Sequence, residues 1–214
     1  VVRPFREPAG SGAGADRCLK EIMTVTTPLA EKLNLGCGAF KKPGFVNVDC
    51  DPGLQPDIVQ DLDQLPYPFP SGHFRLIEAD HVLEHLHEPF RVMAEMHRML
   101  KNGGELVVRV PHFSRGFTHA DHKRGFDVTF PYYFNPSFRG GYTGTEFVLE
   151  RMRLRWSAQP YLKRTVVSPG LFYLSEGLGK VIDFFANLSP LAASRGWCFF
   201  VGGFEEIEFR FRKK

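Results

Sequence analysis

The sequence predicts an α/β fold: a mostly parallel sheet that ends in an antiparallel C-terminal strand pair. Three observations carry this. Short apolar segments alternate with crossovers from residue 32 to residue 111, the pattern of a parallel sheet. The first of them, Lys32-Leu33-Asn34-Leu35, runs straight into Gly36-Cys37-Gly38. The last third instead carries two segments in which apolar and charged residues alternate, as in strands with two unlike faces.

Taken in order, residues 19–30 read as a short helix ending near Thr27 and Pro28. After the first strand, residues 46–49 form a second that ends in a carboxylate, residues 57–61 a third and residues 74–79 a fourth. Residues 89–101 are the clearest helix. Proline is tolerated in its first turn, Phe90, Met93, Met96 and Leu100 make one apolar stripe, and Asn102-Gly103-Gly104 supplies the stop. Residues 105–110 follow as a buried strand closed by Pro111. Met152, Leu154 and Trp156 then alternate with Arg151, Arg153 and Arg155, a half-exposed strand. Phe204, Ile207, Phe209 and Phe211 do the same against Glu206, Glu208, Arg210 and Arg212. Between these two strands, Leu171, Leu174, Leu178, Val181, Ile182 and Phe185 mark an amphipathic helix over 171–188, interrupted by two glycines.

Composition bounds the rest. The chain has 214 residues, 43% hydrophobic and 24% charged, enough for one domain with a core and a ligand cleft. Residues 1–20 read as a flexible lead-in. Residues 21–214 read as a single domain with substrate-side insertions near 111–145 and 160–200. The net charge of +3 is not gathered into a basic stripe, so no nucleic-acid partner is expected. Cys18, Cys37, Cys50 and Cys198 form no C-x-x-C pair and read as reduced thiols of a cytoplasmic protein. No run of about 18 apolar residues predicts a transmembrane segment. A homodimer contact is a further use for the 171–188 helix.

A Gly-x-Gly turn after a buried strand lets backbone approach a ligand where a Cβ would clash. In an open α/β sheet, ligands lie at the carboxyl ends of the strands. Asp49, at the end of the second strand, is placed to accept hydrogen bonds from both hydroxyls of a ribose. A dinucleotide fingerprint would need a third glycine at residue 41, which is Lys. Residues 39–45 are also too few for a full helix, so no helix N-terminus stands ready for a pyrophosphate. S-adenosylmethionine has no phosphate, and the site favours it over NAD.

The segments Leu33-Asn34-Leu35-Gly36-Cys37-Gly38, Asn47-Val48-Asp49, Asp61-Leu62, His81-Val82-Leu83-Glu84-His85 and Leu100-Lys101-Asn102-Gly103-Gly104 together resemble the class I S-adenosylmethionine-dependent methyltransferases. They are most similar to a compact branch with NLGCG and NVD motifs and a shortened first helix, often linked to cell-surface polysaccharide or small-molecule modification. The resemblance covers residues 32–130 and implies a Rossmann-like architecture. It implies that Leu35, Gly36, Cys37 and Gly38 border the methionine moiety and that Asp49 holds the ribose. Asp61 and Leu62 then lie along the adenine, and Asp80 and His81 flank the transferring methyl. The motifs say little about the substrate.

Seven of the eight histidines fall between residues 81 and 122. The H-E-x-x-H metalloprotease spacing is absent because residue 82 is Val. His119-Ala120-Asp121-His122 offers three potential ligands on a loop, yet such clusters also serve acid–base work, and no metal is expected. Residues 111–127 follow the fifth strand above the cleft, where functional residues gather. His112, His119, His122 and Arg124 are expected to line the substrate pocket, with the general base among His81, His112, His119 and His122. The function expected is O-methylation of a sugar or other small polar metabolite. Alternatives are N-methylation of a small molecule and a catalytically inactive S-adenosylmethionine-binding protein. Base methylation of nucleic acid is disfavoured, since Asp80-His81-Val82-Leu83 lacks the Asn/Asp-Pro-Pro-aromatic motif of those enzymes.

Overall fold

The computed structural model describes residues 29–116 and 119–214; the expected lead-in, Cys18 and all but the last two residues of the helix expected over 19–30 lie outside them. Seven strands form one sheet: β1 (Lys32–Leu35), β2 (Val46–Asp49), β3 (Ile58–Val59), β4 (Phe74–Asp80), β5 (Leu100–Pro111), β6 (Phe147–Arg155) and β7 (Glu206–Lys213). Their order is β3-β2-β1-β4-β5-β7-β6. The first five run parallel, and β7 inserts antiparallel between β5 and β6, pairing Val110 with Ile207 on one side and Leu154 with Ile207 on the other. The predicted fold class holds, with a third strand cut to two residues.

Helix α1 (Pro89–Met99) crosses from β4 to β5. Its buried face is Val92, Met93, Met96 and Met99, while Phe90 is exposed. The expected stripe is therefore rotated, and the helix stops two residues early. Leu100 turns extended to pair with Phe74, and the Gly72 and His73 amides take up the Arg98 and Met99 carbonyls.

β7 departs from the half-exposed strand expected of it. Ile207, Phe209 and Phe211 are fully buried, but so are Glu206 and Glu208 on the opposite face. An interior strand has both faces covered, and buried carboxylates there need cations. Arg155 and His81 reach Glu206, and Arg109 and Arg210 reach Glu208.

Residues 111–145 carry α2 (Phe113–Gly116) and a 3-10 turn at Phe130–Phe134, and residues 160–200 carry α3 (Pro160–Lys163), α4 (Pro169–Ala186) and α5 (Pro190–Arg195). Phe130, Pro131 and Phe134 pack into the core beneath α1. α4 reverses its expected orientation. Leu171, Leu174, Leu178, Val181 and Phe185 are each more than half exposed, whereas Phe172, Gly179, Ile182 and Ala186 are buried. Polar groups hold it down instead. The Asp183 carboxylate accepts from the Trp156 amide at 2.7 Å. The Asn187 amide brackets Leu154, accepting from its N–H at 2.8 Å and donating to its carbonyl at 2.9 Å. β6 is the sheet's edge, and these contacts satisfy ladder groups that an open edge would leave unpaired. Among the described residues no helix is long and apolar enough to cross a membrane.

Candidate active site

The carboxyl end of β1 opens into a turn that only glycine permits. Gly36 has φ +64°, and a Cβ there would lie 2.4 Å from Val82 Cγ2. Gly38 has φ +51°, and a Cβ there would meet open space, room for a ligand to approach backbone. Cys37 is buried, and burial pushes its thiol pKa up, so it stays a neutral packing residue. The loop from 39 to 45 contains turns and no helix, as expected. Two asparagines brace it. Asn34 Nδ2 donates to Asn47 Oδ1 at 3.0 Å and to the Phe40 carbonyl at 3.2 Å, and Asn47 Oδ1 also accepts from the Lys42 amide at 2.7 Å. Asp49 Oδ2 accepts from the Gly38 amide at 2.7 Å, tying the end of β2 to the turn.

A cavity of about 490 Å3 lies above this turn, lined by Gly36, Cys37, Gly38, Asp80, His81 and Arg109 among others. Five of the residues expected at the cofactor therefore meet on one wall. Leu35 and Leu62 sit in the core behind it. Asp61 does not reach this cavity: it is exposed and accepts from the Asp63 amide at 3.0 Å, a local turn. Asp49 does not line the cavity either, standing beyond Gly38.

The floor of the cavity is charged in a way the sequence reading missed. Asp80 is held by Lys42 at 3.0 Å and by Arg109, while Lys42 also meets Glu78 and Arg109 Nε meets Glu208 at 2.7 Å. Burial alone would raise the Asp80 pKa, but Arg109 and Lys42 outweigh it and hold it below the usual carboxylate range. Burial likewise opposes the Lys42 charge, and its bonds to Glu78 and Asp80 raise its pKa despite that.

His81 sits at the end of β4 with φ +54°, a left-handed conformation that costs a non-glycine residue about 1–3 kcal/mol. Its Nδ1 donates to Glu84 at 3.2 Å and its Nε2 to Glu206 at 3.0 Å. Burial opposes the charge, yet the two carboxylates win and raise the pKa to about 9. His81 is an imidazolium near neutrality, a donor and not a base.

A second cavity, about 540 Å3, shares His81 and Gln159 with the first and adds His85, His119, His122 and Lys163. His119 stacks on His122 with centroids 4.8 Å apart, and His85 meets His122 edge-on at 5.0 Å. His119 and His122 thus line this cavity together. His112 and Arg124 do not line either cavity. His112 is fully buried, with Nδ1 2.7 Å from Ser114 Oγ and Nε2 2.8 Å from Ser194 Oγ. Burial lowers its pKa to about 4, so it is a neutral structural strut. Arg124 donates to the His87 carbonyl at 2.9 Å and ties down its own loop. Of the residues missed, His85 was visible at i+4 from His81. Glu206 was not, because on an edge strand its position would face water.

This strand order, with an antiparallel β7 inserted beside β5 and a glycine turn under the cleft, is the architecture of the class I methyltransferases. Residues 33–108 match the family model described as a methyltransferase domain. Similar solved structures include a SAM-dependent methyltransferase from Archaeoglobus fulgidus, at 14% identity and a TM-score of 0.54, covering 95% of each chain. Another is an S-adenosylmethionine-dependent methyltransferase from Mesorhizobium loti, at 14% identity and 0.51, covering 94% of this chain and 99% of that one. A geranyl diphosphate methyltransferase in complex with SAM matches at 14% and 0.50, covering 94% and 85%. At such identity these likenesses are likenesses of fold. No curated protein sequence matches the chain.

Proposed function

We propose that the chain is an S-adenosylmethionine-dependent methyltransferase that acts on a hydroxyl of a sugar or other small polar metabolite. The observation that carries the reading is the pair of adjoining cavities that share His81 and Gln159. One is floored by the glycine turn and the other is lined by polar, hydrogen-bonding side chains. S-adenosylmethionine, when bound, supplies an electrophilic methyl on a sulfonium. The open space beside Gly38 fits backbone contact with the methionine end, and Lys42 and Arg109 offer cations to its carboxylate. Asp49 is the residue for the ribose once its bond to the Gly38 amide opens toward the ligand.

The acceptor belongs in the second cavity, where Arg115 and Lys163 offer donors to a hydroxylated molecule. Positioning at near-attack distance with water excluded is the main task. The acceptor proton passes to an imidazole, a side chain suited to general base work, and His119 and His122 are taken from the histidines that line this cavity, His81, His85, His119 and His122. His81, already protonated, orients.

Calorimetric titration with S-adenosylmethionine, S-adenosylhomocysteine and NAD is the test of the cofactor half. Micromolar binding of the first two and none of the third is expected, with Asp49→Ala weakening it at least tenfold. For the acceptor half, His119→Ala and His122→Ala should keep cofactor binding and lose turnover on a hydroxylated acceptor found by screening. Transfer to amines only, across a matched panel, would refute the hydroxyl assignment.

A further inference from the structure

Beside the second cavity lies an acid–imidazole cluster that the proposed function leaves partly unused. Glu84, His85 and His122 each offer one ligand atom, and these atoms all lie within 4.8 Å of one another. Glu84 is fully buried. One of its oxygens accepts from His81, and the other, Oε2, has no hydrogen-bond partner. A buried acceptor without a donor is disfavoured, and a cation would satisfy it.

The His85 imidazole is oriented as a metal site requires. His85 Nδ1 lies 3.2 Å from the Asp121 carbonyl. A carbonyl only accepts, so Nδ1 carries the hydrogen and Nε2 keeps its lone pair. Backbone carbonyls orient metal-binding histidines in this way. The Lys123 amide donates to the Glu84 carbonyl at 2.9 Å, lacing the loop that carries His122 to the turn that carries Glu84 and His85. His122 Nε2 is already 4.0 Å from Glu84 Oε1. Ligand atoms of a tetrahedral zinc site lie about 3.3 Å apart, so side-chain rotation of about an ångström closes this set.

We propose that Glu84, His85 and His122 form a binding site for a divalent transition metal of the zinc class. Two imidazoles and one carboxylate suit zinc with one position left open, whereas magnesium and calcium want more oxygen ligands. No metal is expected from the sequence, where histidine clusters also serve acid–base work; the site is assembled from a 3-10 turn and a separate loop, and Asp121 contributes its carbonyl to His85. The consequence for catalysis rests on the proposed function. An acceptor hydroxyl at the open position would lose its proton more readily. With His122 on the metal, the proton goes to His119. The acceptor oxygen bonds to the methyl carbon as the sulfur–methyl bond breaks and the sulfonium becomes a neutral thioether.

Zn2+ is titrated calorimetrically into EDTA-treated protein without S-adenosylmethionine, and Co2+ binding is followed by visible absorption. One equivalent should bind with a tetrahedral Co2+ spectrum, and His85→Ala and His122→Ala should each weaken it by tenfold or more. Glu84→Gln keeps the buried shape and should weaken it as well, with melting temperature in EDTA as the check on folding. Absence of Zn2+ binding to the wild type, or binding unchanged in all three variants, would overturn the site. S-adenosylmethionine titrated into the same samples keeps the two ideas apart: metal binding without cofactor binding would sink the proposed function and leave the metal site standing.

Discussion

His81 Nε2 donates to Glu206 Oε2 across 3.0 Å, joining the end of β4 to the start of β7 over a sequence separation of 125 residues. With Glu84 on the other ring nitrogen, the imidazolium is stabilised against its own burial, and the pKa rises from the ordinary 6.5 to about 9. A pKa raised by folding adds stability that is fully present below 6.5 and is lost as pH climbs through 9. The melting temperature is therefore expected to fall by several degrees between pH 6.5 and pH 9.5, and His81→Gln should flatten that fall. Scanning calorimetry at the two pH values decides it; parallel curves for wild type and variant would remove His81 from the account.

Gly36 makes a steric prediction. Its φ of +64° and the 2.4 Å approach of a Cβ to Val82 Cγ2 both oppose a side chain. Gly36→Ala should cost about 1–3 kcal/mol through backbone strain and crowding. Val82→Ala in the same chain removes the crowding but not the strain. The double variant should recover part of the loss in urea unfolding, and strict additivity would show that the contact with Val82 does not matter.

The relay through His112 predicts acid sensitivity. Ser194 Oγ donates to Asp127 at 2.8 Å, which leaves it accepting from His112 Nε2–H, and His112 Nδ1 accepts from Ser114 Oγ. Burial lowers the His112 pKa to about 4. For a buried neutral histidine, stability is present above 6.5 and is lost as pH falls from there toward 4, because the unfolded chain takes the proton first. His112→Gln should be less stable than wild type at pH 7, and the gap should narrow toward pH 4. A gap that stays constant with pH would mean that folding leaves the His112 pKa unshifted.

Much of this was legible in the sequence, and the failures share a cause. β5 announces itself by the apolar run Leu106 to Val108, as a strand covered on both faces does, and β1, β2 and β4 by short apolar-rich segments closed by glycine or a carboxylate. Gly36 and Gly38 were legible because backbone conformation leaves a residue-level mark. Burial that depends on a partner from elsewhere in the chain leaves none. Glu206 alternates with Ile207 and Phe209 like any solvent-facing residue, and only the placement of β7 between β5 and β6 buries it. His112 stood in a polar loop by composition, yet Ser194, 82 residues away, folds over it. Leu171 to Phe185 have helical spacing, but the face that docks was decided by the hydrogen-bonding needs of β6.

That last point is itself testable. β6 ends the sheet, so outward N–H and C=O groups at Leu154 and Trp156 would face water or another strand. Asn187 answers both groups of Leu154, at 2.8 and 2.9 Å, and also donates to the Asp183 carbonyl, while the Asp183 side chain answers the Trp156 amide. Leu154 is fully buried, so its backbone groups have little water to fall back on, and an unpaired buried group costs about 1–3 kcal/mol. Asn187→Ala should therefore destabilise by about that much. Asn187→Asp should do so too, since it keeps the acceptor for the Leu154 amide but loses the donor for its carbonyl. Hydrogen exchange is the sharper reading: the Leu154 amide should lose protection by tenfold or more in Asn187→Ala, whereas the Phe209 amide in interior β7 should change only with global stability. Equal protection at Leu154 in wild type and variant would show that α4 is held to the sheet by Ile182 and Ala186 packing alone.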